Sequence, residues 1–201
     1  MPFLIIEGGE GSGKDTQVDL LKKRLDPERT VFTREPGGTL VGEKLRSIVL
    51  GTTMEPETEM LIFLAARAEL VRTVIRPALE MDKLVVSNRF GLSTIAYQIY
   101  GRNRQHLLPF LKQASKEVLG DLEPPYCILL DVRPEIGLKR VENRGDGKTI
   151  YDAEKIEFHR RVRHGYLNHH NDNGRGVCLN ANTSVDHVAG QIAFQMDLWS
   201  I

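Results

Sequence analysis

The sequence predicts an α/β fold, a five-stranded parallel sheet with helices on both faces, and three observations lead there. Short β-branched and apolar runs recur at "FLIIEG", "TVFTRE", "KLVVSN", "YCILLDV" and "GVCLNA". Amphipathic or charged stretches of helical length separate them, an alternation that suits parallel strands joined by crossover helices. Residues suited to ligand chemistry cluster just after these runs, in "GGEGSGK", "REPGGT", "SNRF" and "DVRPE". Open α/β sheets bind ligands at that carboxyl edge, so four loops are expected to converge on one crevice. With 201 residues, 41% hydrophobic and 27% charged, the chain reads as a single domain over 1–201 with a short lid segment at about 141–153.

The helices follow in order. The first starts inside the glycine loop and carries Val18, Leu20, Leu21 and Leu25. A long one covers "EPETEMLIFLAARAELVRTVIRPALE", where Leu61, Leu64, Ala68 and Val71 recur at helical spacing. "RQHLLPFLKQASKEVLG" forms another, with Pro109 marking a kink or a start. "PEIGLKRVENR" opens on Pro134, favourable in a first turn. "AEKIEFHRRVRHGYLNHH" follows a polar gap, and "SVDHVAGQIAFQMDLW" closes the chain behind a Thr183 or Ser184 cap.

Bulk properties narrow the function. Lys plus Arg and Asp plus Glu both number 27, so no overall field draws the chain to nucleic acid or an anionic membrane, and anion binding must be local. Cys127 and Cys178 sit in apolar runs without metal spacing and read as reduced strand residues, with a disulfide the alternative. "MPFLIIEGG" lacks the basic region of a signal peptide, and no apolar run approaches membrane-spanning length, so a cytoplasmic protein is expected.

Residues Gly8, Gly9, Glu10, Gly11, Ser12, Gly13 and Lys14 follow a strand and lead into a helix. In that setting glycines let backbone N–H groups curl around phosphate oxygens, the helix start adds partial positive charge, and the lysine reaches the outer phosphates. Asp15 stands where this loop usually has a hydroxyl residue, followed by Thr16. Its carboxylate is either a magnesium ligand or an exposed first-turn acid favoured by the helix dipole. "REPGGT" joins Arg34 and Glu35 to a rigid proline and two glycines. Phe63 and Arg67, four apart, share a helix face suited to stacking a base and clamping a phosphate. Arg89, Ser93, Thr94, Tyr97 and Gln98 offer polar groups for base and sugar edges. The gap "RVENRGDGKTIYD" places Arg140, Arg144 and Lys148 around two glycines, as a basic flap over phosphates would.

Together "FLIIEGGEGSGKDTQ", "REPGGT", "LIFLAARAELV", "RPALE", "SNRFGLSTIAYQ", "LLDVRPEIGLKR" and "EFHRRVRHGYL" resemble the thymidylate kinases, nucleoside-monophosphate kinases of the P-loop fold, over nearly the whole chain. The resemblance implies transfer of a phosphoryl group from ATP to dTMP with Mg²⁺, and a homodimer. It implies that Lys14 and the loop amides hold ATP phosphates and that Glu10 approaches the acceptor sugar. It gives Phe63 the thymine to stack on, and Arg67 and Arg89 the acceptor phosphate. Arg34 and Glu35 organise the pocket, while Ser93, Thr94, Tyr97 and Gln98 line the nucleoside. With Gly11 and Ser12 supplying no arginine in the loop, a lid arginine is expected, and Arg144 is the choice. Three positions depart from the family pattern: Asp15, Asn88 in place of an Asp associated with magnesium, and Thr149 and Ile150 in place of a lid Asp-Arg pair. The first two read as an exchange in which one carboxylate leaves Asn88 and another arrives at Asp15. Alternatives are a kinase for dUMP or a modified pyrimidine nucleotide, and a degenerate nucleotide binder; a GTPase is disfavoured, since no Asn-Lys-x-Asp segment occurs.

Overall fold

A computed structural model describes residues 2–144 and 149–201; the side chain of Arg144 and residues 145–148 lie outside the described residues, as does Met1. The strands are β1 (Phe3–Glu7), β2 (Thr30–Arg34), β3 (Leu84–Asn88), β4 (Tyr126–Asp131) and β5 (Gly176–Asn180). They form one parallel sheet in the order β2-β3-β1-β4-β5, as the alternating pattern predicts. Central β1 is buried throughout because helices cover both its faces. Phe3 and Ile5 join one apolar core with Leu70, Val71, Phe90, Tyr97 and Tyr166. Leu4 and Ile6 join the other, with Val18, Leu21, Val188 and Ile192. That two-residue alternation is the strand period itself.

Helix α1 (Lys14–Arg24) buries Val18 and Leu21. Helix α2 (Leu40–Gly51) was not among the predicted elements; Thr39 caps it, its Oγ1 accepting a hydrogen bond from the Gly42 N–H at 2.8 Å. Helix α3 (Pro56–Leu70) runs through wide π-type turns at Val71–Ile75 into α4 (Arg76–Glu80). Its buried stripe is Met60, Leu64, Arg67 and Val71, whereas Leu61 is 50% exposed. The apolar spacing therefore misplaces the inner face, because a buried arginine occupies one of its positions. Helix α5 (Gly91–Thr94) continues in π-type turns over Ile95–Gly101.

Pro109 sits in the first turn of α6 (Leu108–Leu119), so it marks a start. Helix α7 (Pro134–Arg144) follows β4, and α8 (Ile156–His169) packs on the Ile95–Gly101 turns, where Gly165 lets it approach Ala96 and Tyr100. Ser184 caps α9 (Val185–Leu198) through the His187 N–H. Cys127 and Cys178 are both free thiols. No helix among the described residues is long and apolar enough to cross a membrane.

Candidate active site

The register sets the ends of three strands side by side: Asn88 of β3 is level with Ile6 of β1 and Arg34 of β2. The chain segments leaving these ends wall one cleft. Glu10 to Thr16, Arg34, Glu35, Phe63, Arg67, Arg89, Ser93, Thr94, Tyr97 and Gln98 all line it. Gly8 and Gly9 are not among its lining residues, and Gly9 instead borders a smaller pocket that shares Glu10 with it. "DVRPE" does not reach the cleft as expected: Asp131, Val132 and Pro134 border that smaller pocket, and Asp131 is held by Arg163 at 2.7 Å.

Lys14 curls back over its own loop, its Nζ donating to the Gly8 and Gly9 carbonyls at 2.8 Å each and to Ser12 Oγ at 3.2 Å. Burial, with help from the nearby Arg89 charge, lowers its ammonium to about 7. Asp15, on the first turn of α1, accepts a hydrogen bond from Asn88 Nδ2 at 2.5 Å. The two departures from the family pattern are thus in direct contact. Asn88 Oδ1 is buried with no hydrogen-bond partner among the described residues.

Arg89 occupies the left-handed region at φ 69, a strained setting for a side chain of its size. Its surroundings over-determine it. The Arg89 N–H donates to Ile6 O at 3.0 Å and its carbonyl accepts from Ser87 Oγ at 2.7 Å. Its guanidinium donates to Gly8 O, Ser93 Oγ and Tyr166 Oη at 3.2, 3.2 and 3.0 Å, and to Glu10 Oε1 at 3.0 Å. Tyr97 Oη donates to the same Glu10 oxygen at 2.7 Å. Burial pulls the Glu10 carboxyl upward, but Arg89, Lys14 and Tyr97 overcome it and hold it at about 2. Beneath them Glu7, fully buried, accepts from the Phe90 N–H at 2.7 Å and from Ser93 Oγ at 2.6 Å. Glu7 was not predicted, because a carboxylate ending an apolar strand reads as the start of a solvated loop.

Arg67 is 1% exposed and paired with Glu35 at 2.8 Å. Its Nη2 also donates to Thr94 Oγ1 at 2.8 Å, and its guanidinium lies 5.1 Å from the Phe90 ring centroid. Nη1 is buried without a partner among the described residues, leaving a donor group uncommitted. Burial raises the Glu35 carboxyl to about 7, more than the Arg67 charge offsets. Arg34 instead turns to Glu43 of α2, donating to both its carboxylate oxygens at 2.9 and 3.0 Å. Phe63 is partly buried against the first core.

Arg46 also lines the cleft and donates to Pro36 O at 2.9 Å. Sequence reading passed over it together with α2; the Thr39 cap after two glycines was the available signal. The flap expectation divides. Arg140 belongs to the scaffold, donating to Gly11 O at 3.2 Å and Ala181 O at 2.9 Å. Arg144 closes α7, but its side chain, like Lys148, lies outside the described residues. Thr149, Tyr151 and Asp152 line the cleft, whereas Ile150 packs against the core.

Residues 6–192 match the thymidylate kinase family model. The chain is 41% identical over 195 residues to a thymidylate kinase of Deinococcus radiodurans, covering 94% of this chain and 93% of that one. It is 40% identical over 202 aligned positions to one of Maridesulfovibrio salexigens, with 94% and 92% coverage. The crystal structure of thymidylate kinase from Ehrlichia chaffeensis superposes with a TM-score of 0.74 at 29% identity, over 96% of this chain and 97% of that one.

Proposed function

The chain belongs to the thymidylate kinase family and phosphorylates dTMP to dTDP, and we propose that it does so with the residues gathered in the cleft, using ATP and Mg²⁺. The observation that carries the site reading is the gathering of three buried cations at one cleft: Lys14 and Arg89 meet at the Gly8 carbonyl, at 2.8 and 3.2 Å, and Arg67 lines the same cleft.

The acceptor phosphate already carries nucleophilic oxygen, so the chain's task is alignment and charge neutralisation rather than proton abstraction. Lys14 leaves its own carbonyls for the donor phosphates, and the negative charge there restores its proton. Arg67 Nη1, unpartnered and buried, donates to the acceptor phosphate; Arg89 completes the clamp from a position Glu10 and Tyr97 hold. Phe63 stacks on the thymine, and Ser93, Thr94, Tyr97 and Gln98 line the nucleoside. Arg34 and Arg46 flank the entrance. Arg144 supplies the flap cation.

The oxygens near the loop fit a hard cation. Asp15 presents a carboxylate beside the phosphate loop, and the adjoining Asn88, whose Nδ2 it accepts from, has a buried Oδ1 with no partner among the described residues. No group of three or more His, Cys, Asp or Glu among the described residues could hold a metal ion by itself, so phosphates and water would have to complete the shell. When bound, Mg²⁺ neutralises developing charge on the transferred group. The protein works in the cytoplasm as a homodimer.

ADP formation by the purified protein with ATP, Mg²⁺ and dTMP, beside dUMP, dCMP, dGMP and no acceptor, tests the reading. Turnover that depends on dTMP is expected. Nucleotide binding without turnover on any acceptor overturns it in favour of a degenerate binder.

A further inference from the structure

Behind the cleft wall lies a buried carboxylate that the transfer reaction does not use. Glu59 of α3 is 2% exposed. Its Oε2 accepts from Gln98 Nε2 at 3.1 Å, and its Oε1 accepts from Tyr151 Oη at 2.9 Å. Arg102 faces it with two guanidinium N–H groups at 3.3 Å, and that guanidinium is itself paired with Glu154.

An ionised carboxylate only accepts hydrogen bonds, so the edge of the Gln98 amide turned toward Glu59 must be its NH₂ edge. Tyr151 spends its proton on Glu59, and its oxygen then accepts the second Gln98 N–H at 3.2 Å. Burial, and next the Glu59 charge, raise the Tyr151 phenol far above its ordinary value, so the donor role is fixed. Both N–H groups of Gln98 are committed to the interior. What Gln98 retains for the cleft it lines is its carbonyl oxygen, which accepts no hydrogen bond among the described residues.

We propose that Glu59 is a positioning residue which, with Tyr151, orients the Gln98 amide as an acceptor-only reader and thereby selects an acceptor base carrying a hydrogen at N3. This rests on the reading above that Gln98 lines the nucleoside. Thymine and uracil have an N3–H to donate; cytosine has a bare N3 that would face the Gln98 oxygen lone pair to lone pair. A site built around one hydrogen-bond polarity rejects the opposite one, because its buried group is left unpaired. The 5-methyl group plays no part in this selection, so dTMP and dUMP are treated alike by it.

The test measures kcat/KM for dTMP and for dCMP, with ATP and Mg²⁺, on the full-length wild type, Glu59→Gln, Tyr151→Phe and Gln98→Leu, together with the melting temperature of each. In Glu59→Gln the facing amide can donate as well as accept, so Gln98 is released to turn over. The dTMP to dCMP ratio is expected to fall roughly tenfold or more in Glu59→Gln and Gln98→Leu, and about threefold in Tyr151→Phe. The dCMP rate should be kept or raised in Glu59→Gln. A merely structural role for Glu59 would lower both acceptors by one factor. That result, beside a changed ratio in Gln98→Leu, overturns the proposal while leaving the site reading intact. An unchanged ratio in Gln98→Leu sinks both, since Gln98 then does not meet the base. Where Glu59→Gln melts below the assay temperature, Tyr151→Phe decides, and a wild-type ratio in it overturns the proposal.

Discussion

The two halves of the cleft are built on opposite plans. In the loop half, Glu10 to Thr16 are contiguous, and among the described residues Lys14 hydrogen-bonds only to atoms within six residues of itself. The acceptor half is assembled from distant chain segments. Arg67 meets Glu35 and Thr94, 32 and 27 residues away, and Arg89 meets Glu10 and Tyr166, 79 and 77 residues away. The lysine of the loop half is thus held by its own backbone cradle, whereas the other half is braced by the ion pairs of Arg67 with Glu35 and of Arg89 with Glu10. Pairing of that kind costs desolvation but fixes orientation.

Arg67→Ala should break the difference most severely. It strands Glu35 as a buried carboxylate and is expected to destabilise the fold by about 3–5 kcal/mol, readable in denaturant unfolding. Adding Glu35→Gln should recover stability without recovering turnover, which separates the scaffold role of the pair from its phosphate role. Lys14→Ala, in the loop half, should leave the fold nearly intact and lower kcat by roughly 10²–10³, with a smaller change in KM for dTMP.

The contact between Asp15 and Asn88 offers a finer probe. Asp15→Ser should weaken the stabilising effect of Mg²⁺ on the ADP complex by about tenfold in apparent affinity, measured by thermal shift across a magnesium titration. Asn88→Asp in that background should restore it; a double variant no better than the single one would show that the two positions do not exchange a metal-binding carboxylate.

The smallest effect is a proton. Lys14 has its ammonium lowered to about 7 from an ordinary 10.5. The folded chain therefore holds fewer protons than the unfolded one between those values, so this group makes stability rise with pH across that window and weighs fully against folding below about 7. Donor phosphates placed beside Lys14 are expected to reverse the shift. Near pH 8, ATP binding should take up about one proton, seen as a buffer-dependent calorimetric enthalpy that Lys14→Ala abolishes.

The same contrast explains what could be read from the chain. The glycine loop and its flanking strand and helix are a contiguous pattern with a local mechanism, so Lys14 and its neighbours were legible. Arg89 and Glu10 were legible as residue types just after strands, and Arg67 as the helix-face neighbour of Phe63. Their mutual bonds depend on which helices cross above the sheet, and periodicity does not encode that. Glu7 and Glu59 escaped notice because a carboxylate in an apolar run looks solvated until its partners are known. Leu61 misled for the complementary reason: Arg67 holds a position in the inner stripe of α3 that an apolar side chain would ordinarily fill.

A side-chain carbon on Gly11 would stand 2.1 Å from the Gly137 carbonyl oxygen, and one on Gly137 would stand 2.2 Å from the Glu10 carbonyl oxygen. The phosphate loop and α7 touch backbone to backbone at that point. A foreign phosphate loop grafted onto this α7 would therefore have to carry glycine at the position of Gly11, since any Cβ there forces the loop off the helix.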